Sequence, residues 1–288
     1  MKSVFLFFQS LRVKDWWYLN GVFVLGAVSS DRFNLTINPF FFGLVISSLY
    51  LAHGYALNEH WDRKSAPCPF SKITPGGEGA LGAYLLLALN CAIAFFLLRP
   101  AFFMVVLGGV VSWLYSSPPL RLKKRFVPRL LLNSLGFSFL FLVGAVSQGP
   151  LSSADWLLLL FVFFLFIPIE LIHGLNDFED DGLNSIATFP RVFGVRKTVA
   201  MTLALFVGLQ VFSLSLYAGN LVSLPFVFLN LFLVVGMSAL LANIQRHGRL
   251  SCGLDGLKAR SRILLSVYGG GLFLLYVIEA RLFGFVAN

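Results

Sequence analysis

Long apolar runs, interrupted by short polar segments, dominate the pattern of this 288-residue chain. Nine of them approach or reach the roughly 20 residues that a helix needs to cross a hydrocarbon core. They cover about 15–30, 38–57, 79–98, 100–116, 127–148, 153–175, 197–218, 222–244 and 262–285, the first and fourth being the shortest. No hydrophilic domain, low-complexity tract or long linker separates them. The pattern therefore predicts an all-α polytopic membrane protein, a single domain over residues 1–288, with about nine transmembrane helices in one bundle. Composition fits that class, because 58% of the residues are hydrophobic and 12% charged, far from the balance of a soluble domain.

Charge gives the bundle an orientation. With spans that alternate in direction, nineteen of the 22 Lys and Arg fall on one side and only Arg32, Arg99 and Arg281 on the other. The positive-inside rule then places the N-terminus and the polar loops described next in the cytoplasm, the expected setting being a prokaryotic plasma membrane. The net charge of +9 expresses this topology, with attraction to anionic membrane lipids and phosphate, and no nucleic-acid partner is expected. The patch VFLFF at 4–8 is too short for a cleavable signal and is followed by basic residues; the first span is expected to direct insertion. Cys68, Cys91 and Cys252 show neither metal-like nor disulfide spacing.

Two acidic segments, NEHWD at 58–62 and NDFEDD at 176–181, hold six of the chain's thirteen carboxylates, each where an apolar run meets a basic loop. Asn58 and Asp62 sit four apart, as do Asp177 and Asp181, so each pair shares a helix face. Carboxylates at a membrane edge are costly unless they bind something, and hard oxygen donors converging from two segments suit Mg2+ with a phosphate-bearing substrate. The segment YSSPPLRLKKR at 115–125 lies on the same side. There Arg121 can grip phosphate oxygens by a fork and Lys123 as a point charge, whereas Lys124, Arg125 and Arg129 read as positive-inside anchors. The Pro- and Gly-rich loop after the first acidic segment and the loop after the second are placed to fold over the mouth of a central cavity opening to the cytoplasmic side. His173 and Glu170 fall one and two turns before Asp177, within membrane depth, and are candidates to orient or deprotonate a second substrate, with a structural hydrogen-bonded pair as the alternative. His53, Asn133 and Ser134 read as packing or interhelical polar residues, with a place facing the cavity as the alternative.

Three motifs in this order resemble the UbiA superfamily of intramembrane prenyltransferases: NxxxD followed by Arg63, YSxPPLRLK, and DxxxD leading into Ile186, Thr188, Pro190 and Gly194. The resemblance spans nearly the whole chain and includes the helix count. It implies Mg2+-dependent transfer of an isoprenyl group from a polyprenyl diphosphate to a lipophilic acceptor, inside a bundle open laterally to lipid. By position, it implies that Asn58 and Asp62 serve one Mg2+, Asp177 and Asp181 the other, and Lys72, Arg121 and Lys123 the diphosphate, with Tyr115 beside them. The chain departs from the family's NDxxDxxxD pattern at Glu59 and at Ala66, which stands where the last Asp is expected, and Ala187 replaces a Lys. Glu59, Glu78 or water stands to replace the missing ligand, the alternatives being altered chemistry or lost activity.

The implied chemistry is ionisation of an allylic carbon–oxygen bond and capture of the cation by an acceptor, with an aromatic quinone precursor as the expected class. Capture by the donor's own double bonds, as in a UbiA-type terpene cyclase, is the enzymatic alternative. A lipid-binding or transport protein without chemistry is the other.

Overall fold

The computed structural model describes residues 11–29, 36–65, 78–183, 186–247 and 250–284. Among them, the regular structure is helical apart from one isolated backbone bridge. The helices are α1 Val13–Trp16, α2 Asn20–Val28, α3 Ile37–Ser65, α4 Glu78–Leu97, α5 Arg99–Ser116, α6 Phe126–Gln148, α7 Ser153–Asn176, α8 Phe178–Leu183, α9 Phe189–Phe193, α10 Val195–Ala218, α11 Leu224–His247 and α12 Leu250–Gly284. Seven are long and apolar enough to cross a membrane: α3 to α7, α10 and α11. Many of their outward residues, among them Phe96, Phe103 and Val207, are exposed apolar side chains, as a surface solvated by lipid requires.

Sequential neighbours pack together, α3 on α4, α4 on α5, α5 on α6 and α6 on α7, then α7 on α10, α10 on α11 and α11 on α12. The short α2 fills the space between α6 and α12. Glycines make that close approach possible. A Cβ added at Gly26 would fall 2.0 Å from the Phe141 carbonyl oxygen, and one at Gly144 2.0 Å from that of Phe23. On the other side of α2, Gly21 and Gly269 meet the same way, at 2.4 Å from the Gly269 oxygen and 2.3 Å from the Tyr18 oxygen. Small residues that let backbones touch are the usual basis of helix association in lipid.

Two expected spans differ in extent. The first is broken into α1, a tight turn at Trp17–Leu19 and α2. The nine residues of α2 rise about 14 Å, less than half of a hydrocarbon core. The break coincides with a local anchor: Arg12 adopts a left-handed backbone (φ 51°), its Nε donates to Asp15 Oδ2 at 2.7 Å, and Trp16 Nε1 donates to the Leu11 carbonyl at 2.5 Å. The last helix, α12, has 35 residues and begins twelve before the apolar run that was expected to start it. Polar residues can continue a helix beyond the hydrocarbon, because its backbone hydrogen bonds are internal.

At one end of the bundle, α7 starts with a capping box in which Ser152 and Asp155 satisfy each other's backbone N–H. Asp155 is buried and also accepts from Ser29 Oγ at 2.5 Å. The opposite end of α7 carries the acidic segment.

Candidate active site

A cavity of about 360 Å³ lies inside the bundle, lined from α3, α5, α6, α7, α12 and the α1 region. Asn58 and Asp62, in the last turns of α3, and Asn176 and Asp177, at the end of α7, all face it. The two acidic segments, 119 positions apart in sequence, thus meet at one opening. Tyr50, Tyr55, Tyr115 and Phe137 form aromatic walls, and His173 and Glu170 line the cavity as well. Phe137 stacks on Phe166 with ring centroids 4.4 Å apart, and Tyr50 donates to the Gly136 carbonyl at 3.1 Å.

The first pair is a compact hydrogen-bonded unit. Asn58 Nδ2 donates to Asp62 Oδ2 at 3.1 Å, and Arg121 Nη2 donates to Asp62 Oδ1 at 2.9 Å. Lys123 donates to both Asn58 Oδ1, at 2.6 Å, and Asp62 Oδ1. Ser116 Oγ adds a contact to Asn58 Oδ1 at 3.3 Å. The loop can deliver both cations because Arg121 takes a left-handed backbone (φ 38°) ahead of a tight turn at Leu122–Lys124. Lys123 is buried, and its desolvation lowers the ammonium to about 8 against the opposing pull of Asp62. Arg121 and Lys123, expected to grip phosphate, therefore stand behind Asp62 rather than on the cavity wall.

The second pair is centred on Arg129. Its Nε donates to Glu170 Oε1, Nη1 reaches Asp181 Oδ2 at 3.3 Å and Nη2 lies 3.8 Å from Asp177 Oδ2. Asn133 Nδ2 donates to the other oxygen of Glu170, and His173 Nδ1 lies 3.5 Å from it. Burial pushes the Asp181 carboxyl up to about 6 despite the attraction of Arg129. The chain turns at Asp177, where α7 ends, so that the Asp181 N–H bonds the Asp177 carbonyl at 2.8 Å. A single parallel bridge between Arg125 and Ala187, with Ala187 N–H donating to the Lys124 carbonyl at 3.0 Å, clips the tail of this segment to the basic loop.

A third polar group forms the remaining wall. Asp15 is shared by Arg12 at 2.7 Å and Arg262 at 3.3 Å, while Arg12 also reaches Glu59 at 3.5 Å. Arg12 and Arg262 both line the cavity, and their side chains are 34% and 39% exposed.

Lys72 and Ala66 lie outside the described residues. Arg129, read from sequence as an anchor, instead sits at the heart of the second cluster with its side chain 12% exposed. Asn133, read as interhelical, lines the cavity, whereas His53 lies away from it with Nδ1 on the Ala83 carbonyl at 2.8 Å. Arg12, Asp15, Arg262 and Asn176 carried no sequence signal, except that Asn176 immediately precedes Asp177.

The donor chemistry of the second cluster fits Mg2+. Asn176 Oδ1 is buried without a hydrogen-bond partner beside Asp177, and Glu170, Asp177 and Asp181 outweigh Arg129 by two negative charges. Among the described residues, no group of three or more His, Cys, Asp or Glu is placed to hold one ion. Mg2+ needs none, because it keeps water and takes one or two carboxylates with substrate phosphate. The first pair fits less well, since Asp62 Oδ1, Asp62 Oδ2 and Asn58 Oδ1 are all engaged.

The profile of the UbiA prenyltransferase family matches residues 19–253. The digeranylgeranylglyceryl phosphate synthase of Saccharolobus solfataricus is 26% identical over 203 residues, covering 66% of this chain and 69% of that protein. The corresponding enzyme of Methanococcus maripaludis is 25% identical over 264 residues, covering 88% and 92%. Among solved structures, a UbiA homologue from Archaeoglobus fulgidus bound to DMAPP and Mg2+ superposes with a TM-score of 0.67 at 17% identity, covering 92% of this chain and 98% of that one. A digeranylgeranylglyceryl phosphate synthase structure gives a TM-score of 0.66 at 19% identity, covering 94% and 99%. These likenesses establish a shared fold.

Proposed function

Since the chain belongs to the UbiA prenyltransferase family, we propose that it transfers an isoprenyl group from a polyprenyl diphosphate to a lipophilic acceptor with the help of Mg2+. The observation that supports this most is the convergence of both acidic segments on one aromatic-walled cavity. Asp177 and Asp181, with Asn176, are the residues that would hold Mg2+. Bound there, Mg2+ would supply positive charge for the departing diphosphate. Arg121 and Lys123 hold further positive charge behind Asp62, within electrostatic reach of a diphosphate in the cavity, and Lys72 is proposed to join them. As the allylic carbon–oxygen bond breaks, the faces of Tyr50, Tyr55 and Tyr115 stabilise the cation and keep water from it. His173, oriented by Glu170, takes the proton that a hydroxyl acceptor releases.

Two acceptor classes compete. An aromatic quinone precursor was the expectation from the sequence, while the names of the relatives point to a glyceryl phosphate lipid. The Arg12–Asp15–Arg262 group favours the second, because the two guanidinium groups, paired with Asp15 and, for Arg12, with Glu59, each carry five N–H donors, more than those contacts use, and line the cavity where a phosphate head would sit. We further propose a single domain of nine membrane segments, with the short α2 embedded part-way as the first and α12 as the last. In this arrangement the cavity opens to the cytoplasmic side of a prokaryotic plasma membrane, which the distribution of Lys and Arg supports.

The test is diphosphate release from geranylgeranyl diphosphate by the purified protein in detergent, with Mg2+, alone and with each acceptor. Release that needs acceptor and is lost in Asp177→Ala is expected. Release with donor alone means cyclisation or hydrolysis, and donor binding without release means a binding protein.

A further inference from the structure

The two acidic segments look interchangeable in sequence, yet their surroundings carry opposite charge. Among the described residues around Asp62, the paired Arg121 and Lys123 leave a net of one positive charge. Among the described residues around Asp177 and Asp181, Glu170 and Arg129 leave a net of two negative charges. A divalent cation is drawn to the second and repelled by the first.

Geometry points the same way. An i,i+4 Asn–Asp pair binds a cation through the two side-chain oxygens that face one another along the helix. Here those oxygens, Asn58 Oδ1 and Asp62 Oδ1, already share the Lys123 ammonium. Arg121 shares Asp62 Oδ1 at 2.9 Å, and the second carboxylate oxygen of Asp62 accepts from Asn58 itself. The arrangement is built into the fold, since Lys123 and Arg121 are only 8% and 12% exposed and are delivered by a tight turn. Position 66, four residues after Asp62 in the sequence, is Ala, which has no side-chain oxygen.

We propose that this chain works with a single Mg2+, held by the Asp177 segment, and that the Lys123 ammonium, supported by Arg121, is the resident cation of the Asn58–Asp62 segment. Asp62 is then a positioning residue for Lys123 and Arg121 and not a metal ligand. The inference rests on the prenyltransferase reading only for the diphosphate that the two cations would share.

The test counts Mn2+, as a stand-in for Mg2+, on the full-length protein in detergent. Equilibrium dialysis and electron paramagnetic resonance would be run with and without a non-ionising farnesyl thiodiphosphate. One Mn2+ per chain is expected in both conditions, without the broadened signal of a coupled pair. Asp177→Asn should abolish binding. Asp62→Asn should keep one Mn2+ at unchanged affinity while raising the KM for donor about tenfold, as loss of a charged hydrogen bond implies. In Lys123→Met a second Mn2+ should appear, because Asn58 and Asp62 are uncovered. Two Mn2+ in the wild-type protein, or loss of the one in a folded Asp62→Asn, would overturn the inference and leave the prenyltransferase reading intact. No Mn2+ at all would overturn both.

Discussion

Replacing Arg129 by Met separates two roles of the second cluster. Glu170 is 3% exposed and relies on Arg129 for its counter-charge, with Asn133 and His173 as its other partners. Unit charges about 4 Å apart attract by roughly 4 kcal/mol at an effective dielectric of 20. Breaking one partner of a buried pair costs about 3–5 kcal/mol, because the other is left uncompensated. The contribution of Asp177, 33% exposed and 3.8 Å away, is discounted for solvent screening. Asp181 at 3.3 Å is nearly buried and adds to the repulsion left behind. Arg129→Met should therefore destabilise the protein by about 3–5 kcal/mol, measured by reversible unfolding in mixed detergent micelles. The same substitution removes a positive charge beside Asp177 and Asp181, so Mn2+ affinity should rise in the fraction that remains folded. Glu170→Gln should recover much of the stability when combined with Arg129→Met. A loss below about 1 kcal/mol, the range of exposed pairs, or weaker Mn2+ binding, would refute the reasoning.

Other expectations concern separate parts of the molecule. Arg262→Ala should raise the KM for a phosphate-bearing acceptor while leaving the donor KM unchanged, and steady-state kinetics with glyceryl phosphate and 4-hydroxybenzoate acceptors would show whether the phosphate alone is affected. Donor affinity should fall as pH rises through about 8, where Lys123 loses its proton, and Lys123→Arg should flatten that profile in an equilibrium binding assay. The linkage sign is opposite for folding. The ammonium is lowered from 10.5 to about 8 by burial, so the unfolded chain binds more protons between those values and Lys123 adds stability as pH rises across that interval. Gly144→Ala places a methyl group 2.0 Å from the Phe23 carbonyl oxygen, and the forced separation of α2 from α6 should cost at least about 1–3 kcal/mol in the same unfolding assay.

What the sequence made legible was chemistry carried by contiguous residues. The i,i+4 pair at 58–62 lies within α3, whose geometry alone aligns it, whereas Asp177 and Asp181 straddle the break between α7 and α8; the long apolar runs likewise announce the spans, because lipid imposes their length. Charge balance is not local. Arg129 lies one turn into α6, where a basic anchor also belongs, and only the packing of α6 on α7 brings it to Glu170 and Asp181. Arg262 is 247 positions from Asp15, and their contact depends on α12 closing against the α1–α2 region. The break in the first span is equally tertiary, since α2 can be short only where the glycines of α6 and α12 let it bury its whole circumference. Residue types identified where ions and phosphates could gather, but the sign of each site was set by helices that are neighbours in space. The same i,i+4 acidic pattern can therefore attract a divalent cation at one rim of the cavity and orient an ammonium at the other.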